Sequence, residues 1–434
     1  MKNIKRRGVL AFAALILAGC SNGPKDGVFM NLDPSMPPTR ATEAAEEALA
    51  QTAEPEPTPA IEEAPITFDF YMTPPPLDFA PLPEVPVVHG IYVTSNRAGG
   101  DQYMQDILDV CKEGGVNAMV IDVKTEEGLM TFKGFEMADE LGISVGNIED
   151  VSALMDILEL NGIYPIARLV AFKDNNSYHF KPELYIHNQD GSIWLDPQRN
   201  AWLNPYNKEA CEYVLSFAKA AAEAGFKEIQ FDYVRFAASS RLDSADMGDT
   251  GGKSRSEAIE DFARLAMDVL RPYGVKVSAD VYGTIINSDI DAAIVGQNYT
   301  ELGKIVDVLC PMVYPSHYAN GSMGLDIPDL LPYDTIYESM ELSNERLNKI
   351  PEGEHRAKVR PWLQDFTASW LSRHLQYGGD ERGAQIQGAL DAGVDEWLLW
   401  DPGVRYDAAG MSGSPALARK NTPSEEKELA SLEE

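Results

Sequence analysis

From residue 87 onward the chain alternates short β-rich apolar runs with longer stretches in which apolar residues recur every three or four positions. The runs are GIYVTS (90–95), AMVIDVK (118–124), YPIARLVAF (164–172), EIQFDYVRF (228–236), KVSADVYG (276–283), VDVLCPMVY (306–314), VRPWLQDF (359–366) and EWLLWDPG (396–403). Between them stand segments such as QYMQDILDVCKEGG, NKEACEYVLSFAKAAAEAG and SEAIEDFARLAMDVLRPYG, whose periodicity predicts helices that mostly close on a glycine C-cap. Eight strand-like runs alternating with helices over roughly 315 residues predict an α/β fold, a closed (β/α)8 TIM barrel. An open doubly wound sheet would place a glycine-rich phosphate turn after its first strand. SNRAGGD stands there instead, without the dinucleotide fingerprint.

Successive strand residues face opposite sides, and a barrel interior is ordinarily filled by branched apolar side chains. One alternating set here is polar: Asp122 and Lys124 in the second run, Arg168 in the third, Gln230 and Asp232 in the fourth, Ser278, Asp280 and Tyr282 in the fifth, Tyr314 in the sixth and Gln364 in the seventh. Buried charges are costly unless paired or functional, and C-terminal strand ends are where barrel enzymes keep their chemistry. An ion-pair network at the barrel mouth is the structural alternative for any single one of these charges. The long connections 173–204, 237–253 and 316–331 belong to the same face.

Two carboxylates on neighbouring strands suit glycosidic cleavage, one attacking or activating water and the other protonating the leaving oxygen. Asp232 and Asp280 are the best-spaced pair. Lys124, Arg168 and Arg235 are placed to keep one carboxylate ionised. Tyr282, Tyr314 and His317 suit hydrogen bonds to hydroxyls, with His317 a further acid candidate. Trp194, Trp202 and Trp400 are candidate platforms for sugar rings, whereas Trp397 reads as core. Asp365 and Asp401 also lie near strand ends, but alternation from Gln364 turns Asp365 outward.

The rest of the chain sets the compartment and excludes partners. Lys2, Lys5, Arg6 and Arg7 precede the apolar run VLAFAALILAG, the pattern of a signal peptide over residues 1–19. It ends in Leu17-Ala18-Gly19-Cys20, a lipobox pattern that predicts lipidation of Cys20 and attachment to the membrane on its extracytoplasmic side. Residues 21–88 carry twelve acidic side chains against Lys25 and Arg40, with many prolines, so 20–86 is expected to be a disordered linker. The barrel is expected over 87–410 and a disordered tail over 411–434. The formal net charge of -32 argues against nucleic acid as a partner. Cys111, Cys211 and Cys310 lie in apolar runs and read as buried thiols. The histidines show no H-x-H or H-E-x-x-H spacing, so neither a metal nor another cofactor is expected, and the domain is expected to be a monomer.

The segments GIYVTSNRAG, MVIDVK, YPIARLVAFKD, AWLNPYNKEA, EIQFDYVRF, VSADVYG, CPMVYPSHYANG, RPWLQDFTASW and DEWLLWD resemble, in order, the glycoside hydrolase domain family of bacterial surface proteins and lipoproteins. That resemblance covers His89 to Tyr406. It implies a TIM barrel related to the α-galactosidase type of glycosidase, with the nucleophilic aspartate closing strand four in a K-x-D-like motif. Gln230-Phe231-Asp232 occupies that place, so the resemblance implies Asp232 as nucleophile, with Gln230 where the lysine would be. Strand six, where such enzymes carry the acid, offers Tyr314 and His317 but no carboxylate, and Asp280 is the acid candidate by spacing. The expected activity is hydrolysis or transglycosylation of an O-glycosidic bond in an extracellular or cell-wall polysaccharide. The alternative is a carbohydrate-binding lipoprotein without catalysis.

Overall fold

The computed structural model describes residues 85–412. The expected signal peptide, Cys20, nearly all of the linker and the tail beyond residue 412 lie outside the described residues. All eight predicted runs form strands: His89–Val93 (β1), Ala118–Lys124 (β2), Tyr164–Val170 (β3), Glu228–Asp232 (β4), Lys276–Tyr282 (β5), Val308–Met312 (β6), Trp362–Gln364 (β7) and Trp397–Trp400 (β8). Each pairs in parallel with its neighbours in this series, and β1 pairs with both β2 and β8, which closes the barrel. Lys358–Val359 pairs with β6 ahead of β7, and the gap between the two pieces falls at Arg360 and Pro361, the latter lacking an N–H to donate. Two short strands that the sequence pattern did not reveal, Met130–Phe132 and Ser144–Ile148, extend the sheet beyond the end of β2.

The helices form where the periodic segments stand and begin at residues able to cap them. Asp101–Gly114 (α1) ends on Gly115, whose φ of 68° is the left-handed conformation that glycine adopts without penalty. Val151–Leu160 (α2) is capped by Asp150, Lys208–Glu223 (α3) by Asn207, and Arg255–Leu270 (α4) by a reciprocal Ser254–Glu257 box. Asp289–Val295 (α5) and Tyr299–Gly303 (α6) share the crossover to β6, while Pro332–Leu347 (α7) and Gly379–Asp391 (α8) follow β6 and β7. Among the described residues no helix follows β8. The core between sheet and helices is apolar: Phe231 of β4 meets Phe262 of α4 edge-on at 5.2 Å, and Cys111 and Cys211 are buried free thiols whose pKa burial pushes up to about 12.

The barrel interior, in contrast, is polar in layers. At its N-terminal end the fully buried Arg360 donates to Glu228 at 2.8 Å and to Glu396 at 2.8 Å, and Lys358 reaches Glu396 at 2.9 Å. Above it lie Gln230, Ser278 and Cys310, joined by a 3.1 Å hydrogen bond from Gln230 Nε2 to Cys310 Sγ. Higher still are Arg168, Asp232 and Asp280.

One expected interior residue is displaced. β2 carries a bulge, so Asp122 pairs with Arg168 but Lys124 pairs with Leu169, a position facing away from the barrel axis. Lys124 therefore leaves the interior, ion-pairs with Asp174 at 3.0 Å, donates to the Val170 carbonyl at 3.0 Å and lies 5.6 Å from the Phe217 ring of α3. Strict alternation had assigned it to the site; one extra residue in the strand reverses that.

Removing Arg360 would leave Glu228 buried without a counter-charge and Glu396 with Lys358 alone, and a broken buried pair typically costs about 3–5 kcal/mol. Arg360→Met is expected to lower the urea-unfolding free energy by that order, and a loss below about 1 kcal/mol would show that this network contributes little to stability.

Candidate active site

The centre of the site is Arg168, late in β3. Its Nη1 lies 2.6 Å from Asp122 Oδ1, and its Nη2 and Nε lie 2.5 and 3.0 Å from Asp232 Oδ2. Burial alone works against the guanidinium charge, but Asp232 and Asp122 outweigh it and hold the group well above its ordinary pKa. Arg168 also sits 5.2 Å from the Trp400 ring and 5.7 Å from that of Tyr92, and these two rings stack on each other at 4.1 Å. Tyr92 donates its hydroxyl to Asp122 at 2.6 Å. Burial pushes the Asp122 carboxyl upward even though Arg168 opposes the shift.

Asp232 closes β4, and both of its oxygens are held. Oδ2 takes the Arg168 fork, and Oδ1 accepts the backbone N–H of Tyr233 at 2.6 Å. Tyr233 has φ 49°, a left-handed conformation that a bulky aromatic rarely adopts, so the turn after the aspartate is strained in the way that functional sites tolerate. The pairing of Gln230 with Ser278 and of Phe231 with Ala279 brings Asp280 of β5 alongside Asp232. Asp280 Oδ1 accepts the Trp362 indole N–H at 2.8 Å. Burial first, and the charge of Asp232 second, push the Asp280 carboxyl far above the usual carboxylate range. Two neighbouring carboxyl groups thus have different surroundings: one is gripped by a guanidinium, the other is buried against an indole N–H.

A third carboxylate completes the mouth. Glu126, two residues beyond β2, is 31% exposed in its side chain, ion-pairs with Lys173, accepts the Tyr233 hydroxyl at 3.2 Å and lies 3.9 Å from Arg168 Nη2. The nitrogen that grips Asp232 therefore also faces Glu126. Asp280, in contrast, is only 2% exposed. Attention to strand positions alone passed over Glu126, which stands in the TEEG loop; Tyr92 faces inward within β1 and was accessible to the same alternation that found Asp122.

The structure brings Asp122, Arg168, Asp232, Asp280 and Trp400 together, while Tyr282, which ends β5, lies 4.6 Å from Arg235, and Tyr314, two residues beyond β6, packs against His317 and Phe366. It reassigns several others. Arg235 has no carboxylate partner among the described residues; it donates to the Phe236 carbonyl and lies 4.6–5.0 Å from the rings of Tyr282, Tyr233 and Trp202. Trp202 is buried beneath that cation and donates its indole N–H to Asp196 at 3.0 Å, so it offers no open face to a sugar, and Trp194 is equally buried. Gln230 is sealed below the mouth. Gln364 is also fully buried, and its amide is used within the protein: Oε1 accepts Ser316 N–H at 3.0 Å and Nε2 donates to Asp329 at 3.2 Å and to the Phe366 carbonyl at 3.0 Å. It clamps the loops after β6 and β7 instead of touching a ligand. His317 shares a hydrogen bond with Ser316 Oγ at 3.0 Å, and burial pushes its imidazole down to about 4, so near neutral pH it carries no acidic proton to give to a leaving group. Asp365 does turn outward, to Arg382 of α8 at 2.9 Å, and Trp397 is core, stacked on His89. Among the described residues no group of three or more His, Cys, Asp or Glu side chains is arranged to hold a metal.

Residues 90–406 match the family described as "Putative glycosyl hydrolase domain". A comparison with curated proteins found none that matches. Among solved structures, a hypothetical protein from Ruminiclostridium thermocellum is 35% identical, over 44% of this chain and 97% of that one, with a TM-score of 0.41. The PgaB (BpsB) glycoside hydrolase domain from Bordetella bronchiseptica is 11% identical over 76% of this chain and 97% of its own, with a TM-score of 0.55, a likeness of fold. An α-galactosidase from Thermus thermophilus is 13% identical over 82% of this chain and 63% of its own, with a TM-score of 0.43.

The His317 assignment has a direct test. Because its folded-state pKa lies below the ordinary value of roughly 6.5, the unfolded chain binds the proton first, and the ring's contribution to stability is lost as pH falls from about 6.5 towards 4. NMR titration of the imidazole should give a midpoint near 4, and a midpoint of 6 to 7 would show a solvated ring that is able to act as an acid.

Proposed function

Since the chain belongs to this glycosyl hydrolase domain family, we propose that it is a lipid-anchored glycoside hydrolase or transglycosylase acting on an extracellular or cell-wall polysaccharide, with Asp232 as nucleophile and Asp280 as its acid partner. The observation that carries this reading is the pair of neighbouring carboxyl groups on β4 and β5, one gripped by Arg168 and the other buried against the Trp362 indole with its pKa pushed upward. Adjacent parallel strands lie about 4.8 Å apart, so side-by-side carboxyl groups favour the spacing of about 5–5.5 Å used by retaining enzymes. In the first step an Asp232 oxygen bonds to the anomeric carbon as the glycosidic C–O bond breaks, and the Asp280 proton passes to the leaving oxygen. In the second step water, or a sugar hydroxyl in transglycosylation, attacks the anomeric carbon and returns a proton to Asp280, which releases Asp232. Trp400 and Tyr92 form one wall beside Arg168, and Tyr282 and Tyr314 supply hydroxyls at the rim. Lipid on Cys20 would hold the domain at the membrane on the extracytoplasmic side, with the acidic linker as spacer.

A second reading, carbohydrate binding without turnover, is favoured by the seclusion of Asp280 beneath Trp362. A screen of polysaccharides and peptidoglycan fragments for released reducing ends decides between the two. Asp232→Asn is expected to abolish release, and Asp280→Asn to slow it by about 10²–10⁴-fold, as loss of a general acid does. If Glu126→Gln shows the larger loss and Asp280→Asn retains activity, the acid is the solvent-facing glutamate. Equal release by wild type and Asp232→Asn would remove Asp232 from the mechanism. For the anchor, Cys20→Ser is expected to shift the protein from the membrane to the soluble fraction of a bacterial host, and membrane retention of that variant would exclude lipidation at Cys20.

A further inference from the structure

Four of the six tryptophans are sealed: Trp194, Trp202, Trp362 and Trp397 are 3%, 3%, 1% and 1% exposed. Trp370, in the loop after β7, is 49% exposed. Its indole is nevertheless held in place. Phe366 stacks against it with centroids 5.9 Å apart and planes at 25°, and the His317 ring stands perpendicular to it at 6.3 Å. His317 packs edge-on against Tyr314 at 5.3 Å, which ties the group to the end of β6.

The backbone beneath these rings is pinned by buried polar groups. Gln364 joins Ser316 to Asp329, Asp329 also accepts Leu375 N–H at 3.1 Å, and Thr367 Oγ1 accepts Tyr377 N–H at 3.0 Å and Gln376 Nε2 at 2.9 Å. Hydrogen bonds thus order a loop whose product is a rigid, water-facing aromatic ring. A flat ring fixed in advance loses little entropy on binding, and a single exposed indole beside an imidazole has the footprint of one sugar unit and not of a protein interface. The neutral His317 uses Nδ1 for Ser316, and its Nε2 has no hydrogen-bond partner among the described residues.

We propose that Trp370 is the platform of an outlying sugar subsite at the β6–β7 side of the barrel mouth, stacking on the C–H face of a pyranose unit while His317 Nε2 meets one of its hydroxyls. The proposal rests on the glycosidase reading above and adds a direction to it: the polysaccharide crosses the mouth from the Asp232–Asp280 side, on β4 and β5, to the loops of β6 and β7. The bound chain therefore extends beyond the unit being cleaved.

The test uses the intact chain carrying Asp232→Asn, so that binding is measured without turnover, with hexasaccharides of α-1,4-glucose, β-1,4-glucose and β-1,4-N-acetylglucosamine followed by calorimetry. For the hexasaccharide bound most tightly, adding Trp370→Ala is expected to weaken affinity roughly 3- to 10-fold, the range of an aromatic stacking contact, with Trp370→Phe intermediate. Tyr103→Ala, which removes an equally exposed ring on the outer helix α1, is expected to leave affinity unchanged. Circular dichroism and Tm confirm folding, and Trp370→Phe, which keeps a ring on Phe366, covers the case in which the alanine variant is unstable. Unchanged affinity in the Trp370 variants would overturn the subsite alone. Failure of the Asp232→Asn chain to bind any of the three sugars would overturn the carbohydrate reading, and the subsite with it.

Discussion

The buried guanidinium of Arg168 is the constraint on which the site depends. Three carboxylates, Asp122, Asp232 and Glu126, converge on it from the ends of β2 and β4 and from the loop beyond β2. Burial at the top of a low-dielectric barrel disfavours a carboxylate's charge, and at Asp122 the cation opposes that effect. With it, Asp232 is oriented by a fork on one oxygen and by the Tyr233 amide on the other. The charge of Asp232 in turn adds to burial in raising the Asp280 carboxyl. One cation thus fixes the orientation of Asp232 beside its neighbouring aspartate.

The same logic is repeated at the opposite end of the barrel, where Arg360 answers Glu228 and Glu396. Between these cations runs a polar column that a purely structural barrel would fill with branched apolar side chains. Buried ion pairs seldom add net stability over an apolar equivalent, so this interior spends folding free energy on arrangement. The apolar side chains lie outside the sheet, against the helices, and they supply the stability that makes a polar interior tolerable.

The loops divide into those that shape the mouth and those that were misjudged as ligands. Gln364 and Lys124 stand at strand ends and Trp202 in the long loop after β3, yet each has its hydrogen-bonding capacity directed into the protein. Gln364 acts on the mouth indirectly, because the loops it joins carry Tyr314, His317, Phe366 and Trp370. A fully buried amide and a half-exposed indole are in this way parts of one device.

The order and type of the strands, the closure into a barrel and the placing of Asp232, Arg168, Asp122 and Asp280 on the inner face were legible in the amino-acid sequence alone. Those features depend on local periodicity and on which face of a strand a residue occupies, and both are written in single-residue spacing. Tertiary structure alone decided the rest. The bulge in β2 turned Lys124 away from the axis, because one inserted residue reverses every face assignment beyond it. The loops placed Glu126 on the Arg168 nitrogen and buried Trp202 while exposing Trp370, because loop geometry follows from long-range hydrogen bonds that no spacing rule encodes. The upward shift of the Asp280 carboxyl was likewise beyond the sequence, since it arises from burial and from a charge 48 positions away along the chain, brought alongside only when β4 and β5 pair.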